Sequence, residues 1–223
     1  MATPATYIVS DLHLGSEHFR HGRFLSWLDS LPAASPLILN GDTVDDPRKP
    51  IPAVHREVLE RMVAESRRRP LVWVYGNHDA GYLPEDPGEI QFVHHWEIER
   101  RLLVVHGDDF DDVMPKHGLF KATFKMLHKL RRWLGFQDVH VAQYAKKWDF
   151  LYRVLNNRVA RNALDAARRR GFEVVVCGHT HAAMDVRDGG VRYLNTGAWT
   201  ETPLFFLEVN GEGVHLRELS GEG

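Results

Sequence analysis

The sequence predicts an α/β fold in which parallel strands form a sheet and helices pack outside it. Two observations carry that prediction. In residues 6–79 short apolar runs alternate with amphipathic helical patterns, giving the order β-α-β-α-β. In residues 172–219 the alternation stops, and apolar runs are separated by glycine-containing turns.

Taken in order, "TYIVSD" (6–11) reads as a strand and "HFRHGRFLSWLDSL" (18–31) as a helix with one apolar face. "PLILNGD" (36–42) is a second strand, and "AVHREVLERMVAESRRR" (53–69) is a helix that ends in a basic turn. "PLVWVYGNHD" (70–79) is a third strand, and "WEIERRLLVVHGDD" (96–109) a hairpin. The runs "EVVVCGHTH", "GVRYLNTGAW" and "LFFLEVNGEGVHLREL" read as antiparallel strands, with "VNGEGV" the clearest hairpin turn. No repeat or low-complexity linker divides the chain, so residues 1–223 are expected to form a single domain.

Composition narrows the function classes. The one cysteine, Cys177, excludes an internal disulfide framework and suits a reducing compartment. No apolar run approaches membrane-spanning length, and "MATPATYIVSD" lacks a basic leader with an apolar core, so a cytoplasmic protein is expected. A net charge of −2 hides an asymmetry: residues 116–170 carry 14 Lys and Arg against Asp138, Asp149 and Asp165. That cationic stretch is suited to an anionic ligand or surface.

Polar residues recur where apolar strands stop. Asp11 and His13 follow "YIVS", and Asp42 follows "LILNG". Asn77 and His78 follow "LVWVYG", His106 follows "LLVV", and His179 and His181 follow "VVVCG". Carboxyl ends of strands in α/β sheets line the binding crevice, so these side chains are expected to converge. In Asp11-x-His13 and His179-x-His181, residues two apart in extended chain face the same way and can reach one ion. Carboxylate, amide and imidazole without thiolate suit Mn, Fe, Zn or Mg. There are more such groups than one ion needs, and two ions sharing a carboxylate would use them. Among the remaining polar residues, Asp46, Asp108, Asp109, Asp111 and Asp112 read as solvated turn acids. His18, His21, His55, His94 and His95 read as surface or packing residues, and Cys177 as buried and inert. Trp199 suits either the pocket edge or the core.

The blocks "SDLHLGS", "LNGDTVDD", "YGNHDA", "VVHGDDF" and "CGHTHAA" resemble, in order, those of the calcineurin-like metallophosphoesterases. The resemblance implies a four-layer α/β/β/α sandwich and two divalent ions, with manganese the first expectation. It puts Asp11, His13, Asp42 and His181 on one ion. Asp42, Asn77, His106 and His179 fall on the other, with Asp42 bridging. The chemistry implied is in-line hydrolysis of a phosphoric ester by water shared between ions roughly 3.5–4 Å apart. His78 is then expected to stabilise charge or protonate the leaving oxygen, with Asp45 orienting its ring.

Residues 113–165 exceed what that fold needs and are expected to form a basic amphipathic helical insertion, or lid. Phe120, Phe124, Leu127, Leu130 and Leu134 form an apolar stripe beside Lys121, Lys125 and Lys129. A second helix from about residue 141 carries Trp148, Leu151, Leu155 and Val159 with Lys146, Lys147, Arg153, Arg158 and Arg161. Phe124, Leu127, Lys121, Lys125, Trp148 and Arg153 are the expected substrate contacts. Such a pair suits an anionic amphiphile or the anionic face of a membrane, reached peripherally. Its aromatics lie on apolar faces rather than free to stack on bases, so no nucleic-acid partner is expected. With "HGDDFDDV" and "GGVRYLNTGAWTE" it resembles the branch containing UDP-2,3-diacylglucosamine hydrolases, which cleave a nucleotide-lipid pyrophosphate. That branch has Arg where this chain has His78, and Gly-Asp-Trp where it has "NTGAWTE". A phosphomonoesterase is the alternative reading, with a nuclease behind it.

Overall fold

The computed structural model describes residues 4–112 and 141–220, with side chains from residue 152 onward in the second segment. Chain order runs β1 (Thr6–Val9), α1 (His21–Ser30), β2 (Leu37–Asn40), α2 (Ala53–Ser66) and β3 (Leu71–Val74). It continues with β4 (Gln91–Val93), β5 (Trp96–Ile98), β6 (Leu102–Val104), a 3₁₀ turn at Asp108–Phe110 and α3 (Val141–Arg170). Five strands close it: β7 (Val174–Cys177), β8 (Ala183–Asp188), β9 (Val191–Thr196), β10 (Phe205–Asn210) and β11 (Gly213–Glu218).

These strands form two sheets, in the orders β11-β10-β1-β2-β3-β4 and β5-β6-β7-β9-β8. The pleat sends alternate residues to opposite faces, which explains the layers. Ile8, Ile38, Val72 and Val74 of the first sheet meet Leu102, Val104, Val176 and Leu194 of the second in a core between the sheets. Their neighbours Val9, Leu37, Leu39, Leu71 and Trp73 face the other way, against Phe24, Trp27 and Leu28 of α1 and Val58, Leu59 and Met62 of α2. On the far side, Leu103, Val175, Cys177 and Tyr193 meet Ala160, Ala163, Leu164 and Ala167 of α3. Two sheets flanked by helices is the α/β/β/α sandwich. Both faces of the central strands are covered, hence their uninterrupted apolar runs.

Two features depart from the sequence reading. The β7–β9 pairing is parallel, as is β6–β7, so the terminal region is not uniformly antiparallel. The antiparallel partner of β9 is β8, "AMDVRD", joined to it at Gly189 and Gly190. The "VNGEGV" turn does join antiparallel β10 and β11, and β10 returns to pair with β1 in the first sheet.

Helix α3 is described from Val141 and runs to Arg170 without a break. Its C-terminal half is core, with Ala163 and Ala167 fully buried, while Tyr152, Arg153 and Val154 are exposed. Leu164→Ala is expected to lower unfolding free energy by about 2–5 kcal/mol in urea titrations. A loss below 1 kcal/mol would show that α3 is not part of the core. No helix among the described residues is long and apolar enough to cross a membrane.

Candidate metal centre

The loops that follow β1, β2, β3, β6 and β7 meet at one end of the sandwich. The loop after β1 is laced to the loop after β2: Asp11 donates its N–H to the Gly41 carbonyl (3.1 Å), His13 to Asp42 (2.9 Å) and Leu14 to Thr43 (2.8 Å). Gly178 donates to the His106 carbonyl at 2.9 Å and Trp199 to Asp11 at 3.0 Å, tying in the β6, β7 and β9 ends.

Asp11, His13, Asp42, His179 and His181 all have left-handed backbone, with φ between 49° and 66°. Asp and His are among the few side chains that tolerate this region, which costs roughly 1–2 kcal/mol per residue. Alternation in extended chain, the reason expected for the two x-spaced pairs, is therefore not what aims them. β1 ends at Val9 and β7 at Cys177, and each pair sits on a coiled turn beyond its strand. Strain concentrated at one locus is a mark of a functional site. Close approach adds a second constraint: a Cβ on Gly76 would collide with the Asp42 carboxylate, and one on Gly178 with Asp11 and Ser10.

Five of the seven expected ligands, Asp11, His13, Asp42, His106 and His181, come together through close donor atoms, and His179 pairs with Asn77 beside His106. His13 Nε2 and His181 Nε2 face each other at 3.1 Å, with Asp11 Oδ1 3.5 Å from His181 Nε2. Asp42 Oδ2 lies 3.2 Å from His106 Nε2, and His179 Nδ1 lies 3.0 Å from Asn77 Oδ1. Among the described residues, donor atoms of Asp11, His13 and His181, of Asp11, Asp42 and His106, and of His13, Asp42 and His78 cluster closely enough to hold an ion. Asp11, His13 and Asp42 each belong to two of these groups.

The electrostatics fit a cation. Burial opposes charge on His106, yet Asp42 with Asp11 raises its pKa to about 10. Burial likewise opposes the Asp42 charge, but His106 holds that carboxyl well below the usual range. Asp11 is raised to about 7 by burial. Burial also lowers His13, to about 4, along with His179 and His181, which leaves neutral rings with lone pairs to offer. His106 directs Nδ1 at the Asn40 carbonyl (3.1 Å), while its buried Nε2 lies 3.2 Å from Asp42 Oδ2 without hydrogen-bond geometry. A divalent ion at that atom would satisfy it, and would balance Asp11 and Asp42 together.

His78 and Asp45 adjoin this cluster, though not through the pairing expected. His78 Nδ1 lies 2.7 Å from the Asp45 backbone carbonyl and 3.7 Å from its carboxylate. The carboxylate is spent on His13 Nδ1, at 3.1 Å. The backbone of Asp45 therefore orients His78, and its side chain orients His13.

Several participants escaped the sequence reading. Asp79, fully buried, accepts from the Thr43 and Gly76 amides (2.8 and 2.7 Å) and from Trp73 Nε1 (3.0 Å), which locks two ligand loops together. Asn195 supports the His179–His181 loop through the Gly178 carbonyl at 2.6 Å. Asp111 is buried and bonds His179 Nε2 at 3.1 Å. His55 is buried and accepts from the Gly15 amide at 2.9 Å. The Tyr152 hydroxyl of α3 donates to the Thr180 carbonyl, between the two histidines. Trp199 is core, packed on Phe24 and Trp27. Of the expected substrate contacts, Lys121, Phe124, Lys125 and Leu127 lie outside the described residues, as does the side chain of Trp148. Arg153 is exposed on α3.

A family model described as calcineurin-like phosphoesterase matches residues 5–183. No curated protein matches the chain. Among solved structures, it is similar to Vacuolar Protein Sorting 29 from Cryptosporidium parvum, at 14% identity over 99% of this chain and 100% of that one, with a TM-score of 0.50. The Chaetomium thermophilum protein of the same name shares 11% identity over 100% of this chain and 91% of that one, with a TM-score of 0.52. The E. coli phosphoesterase Yfce shares 16% identity over 94% and 90%, with a TM-score of 0.47. At such identities the likeness concerns the fold alone.

Proposed function

The chain belongs to the calcineurin-like phosphoesterase family, and on that premise we propose that it is a di-metal hydrolase of phosphodiester or pyrophosphate bonds. The observation that carries this reading is the buried Asp42 carboxylate, which lies 3.2 Å from His106 Nε2 and shares close donor groups with Asp11 and with His13, residues assigned to different ions from His106. Asp11, His13, Asp42 and His181 would hold one divalent ion, and Asp42, Asn77, His106 and His179 the other. Manganese is the first candidate. Such a pair supplies Lewis acidity toward water and a clamp for phosphoryl oxygens.

The chain's own residues do the rest. His78, held at Nδ1 by the Asp45 carbonyl, keeps Nε2 3.9 Å from Asp42 Oδ2, on the cluster side of the ring. A proton on Nε2 can then pass to, or stabilise charge on, a leaving oxygen bound beside the cluster. Asp45 holds His13, and Asp79 fixes the loops that carry Asp42 and Asn77.

For substrate, we favour a nucleotide-linked lipid pyrophosphate of the UDP-2,3-diacylglucosamine kind, in line with the cationic stretch 116–170 and its apolar stripes. The same features would let the expected insertion 113–165, short of the α3 residues from Val159 onward that pack in the core, act as a lid and touch an anionic membrane face from the cytoplasm. The test is hydrolysis with Mn²⁺ of bis-nitrophenyl phosphate against nitrophenyl phosphate, followed by a UDP-acyl sugar. Diester and acyl-sugar turnover is expected to exceed monoester turnover. The reverse order would assign a phosphomonoesterase, and no turnover of any would overturn the hydrolase reading.

A further inference from the structure

Each imidazole of the cluster has two ring nitrogens, and a neutral ring can offer only one lone pair. What sits at the far nitrogen therefore decides which face is available to a cation. For His179 the two neighbours are Asn77 Oδ1, 3.0 Å from Nδ1, and Asp111 Oδ2, 3.1 Å from Nε2. A proton on Nδ1 would leave the Nε2 lone pair facing a buried carboxylate, two acceptors at contact distance. A proton on Nε2 replaces that repulsion with a charge-assisted hydrogen bond and frees Nδ1, beside Asn77 Oδ1, for a cation.

We propose that Asp111 is a positioning residue for the second metal position, fixing His179 as the Nε2–H tautomer so that Nδ1 and Asn77 Oδ1 share one ion. This rests on the di-metal reading and extends it to a residue outside the five sequence blocks' ligand set.

The segment bearing Asp111 is held from outside the site. Asn162 of α3 donates to the Phe110 carbonyl at 2.9 Å, and Arg158 of α3 pairs with Asp112 at 2.8 Å. Within the segment, Phe110 donates to the Gly107 carbonyl at 3.0 Å and Asp111 to Asp108 at 3.2 Å. Asp111 is thereby set between a helix that belongs to the core and a histidine of the cluster. A solvated turn acid would need neither its burial nor this framing. The Arg158–Asp112 pair is exposed and adds little on its own. The Asn162 bond and the turn hydrogen bonds are what place the carboxylate.

The experiment is a Mn²⁺ titration of wild type and Asp111→Asn by calorimetry and electron paramagnetic resonance. Wild type is expected to take two ions and give an exchange-coupled signal. Asp111→Asn can donate from its amide to Nε2 and so favours the wrong tautomer. It is expected to keep one ion at wild-type affinity and to weaken the other about 10–100-fold. Saturating Mn²⁺ should then recover most of kcat, so the defect shows in metal dependence. The tautomer is read directly by ¹⁵N imidazole spectroscopy of the Zn²⁺-loaded protein, where wild-type His179 should carry its proton on Nε2. Asn162→Ala leaves Asp111 intact and loosens only its segment. It should weaken the same ion by a smaller factor, and it supplies the measurement if Asp111→Asn is poorly folded. Two ions bound to Asp111→Asn at wild-type affinity, or a His179 proton found on Nδ1 in wild type, would overturn the proposal. A wild type that never takes two ions would instead overturn the hydrolase reading on which it rests.

Discussion

Asp42→Asn is expected to cut kcat/KM by more than about 10³-fold and to reduce bound Mn²⁺ from two ions to one or none. The size follows from what the carboxylate does. Asp42 is the carboxylate proposed to be shared by both ions, 3.2 Å from His106 Nε2 and grouped with His13, so its loss weakens both positions at once, and each 1.36 kcal/mol of lost transition-state stabilisation is tenfold in rate. Asn is the informative replacement because Asp42 has φ of 49°, a region Asn tolerates, and because Asn is nearly isosteric with the Asp side chain that lies against Gly76. Folding should survive, and circular dichroism can check it. Asp42→Ala adds a backbone cost of roughly 1–2 kcal/mol and mixes stability with activity. Metal content by elemental analysis and turnover of bis-nitrophenyl phosphate decide the outcome. Wild-type turnover with two ions bound would remove Asp42 from the centre of the site.

How far the sequence reaches follows from where each feature lies in the fold. β1, β2 and β3 were legible because both their faces are covered, which forces apolar runs such as "LVWV". β4 and β8 are sheet edges with half-exposed side chains, so "QFV" and "AMDVRD" carry no such run. The direction of β7 is not legible in the sequence because glycine turns suggest hairpins, whereas parallel pairing with β6 requires a crossover that includes α3.

The ligands stood out for a related reason: strand ends gather in one place, so side chains at successive ends need no long-range information to be grouped. The residues that hold the ligands lack this signature. Asp79 acts on amides of Thr43 and Gly76 and on the Trp73 ring, contacts that exist only once β2 and β3 are paired. Asp111 is one acid in "DDFDD", and nothing in that string marks which one turns inward. The Asp45 side chain and backbone serve different histidines, a division of labour set by the turn conformation.

His78→Ala is expected to keep both ions and to slow hydrolysis by about 10²–10⁴-fold for substrates with poor leaving groups. His78 is a member of one donor group, yet the ring is turned by its Nδ1 bond to the Asp45 carbonyl, and Nε2 stands 3.9 Å from Asp42 Oδ2, beyond hydrogen-bond reach. The Nδ1 anchor leaves Nε2 turned toward the cluster, where the ring can meet a bound substrate. Its backbone N–H, which donates to Asp42 Oδ1 at 2.8 Å, survives the substitution and keeps the carboxylate in place. If the ring delivers a proton, the loss should shrink as the leaving group becomes more acidic, nearly vanishing for nitrophenolate. If it only stabilises charge, all leaving groups should slow alike, because the charge develops on the phosphoryl oxygens whatever departs. Rates for a series of aryl and alkyl diesters, with metal content measured on the same samples, separate the two. Loss of an ion from His78→Ala would place the ring among the ligands instead.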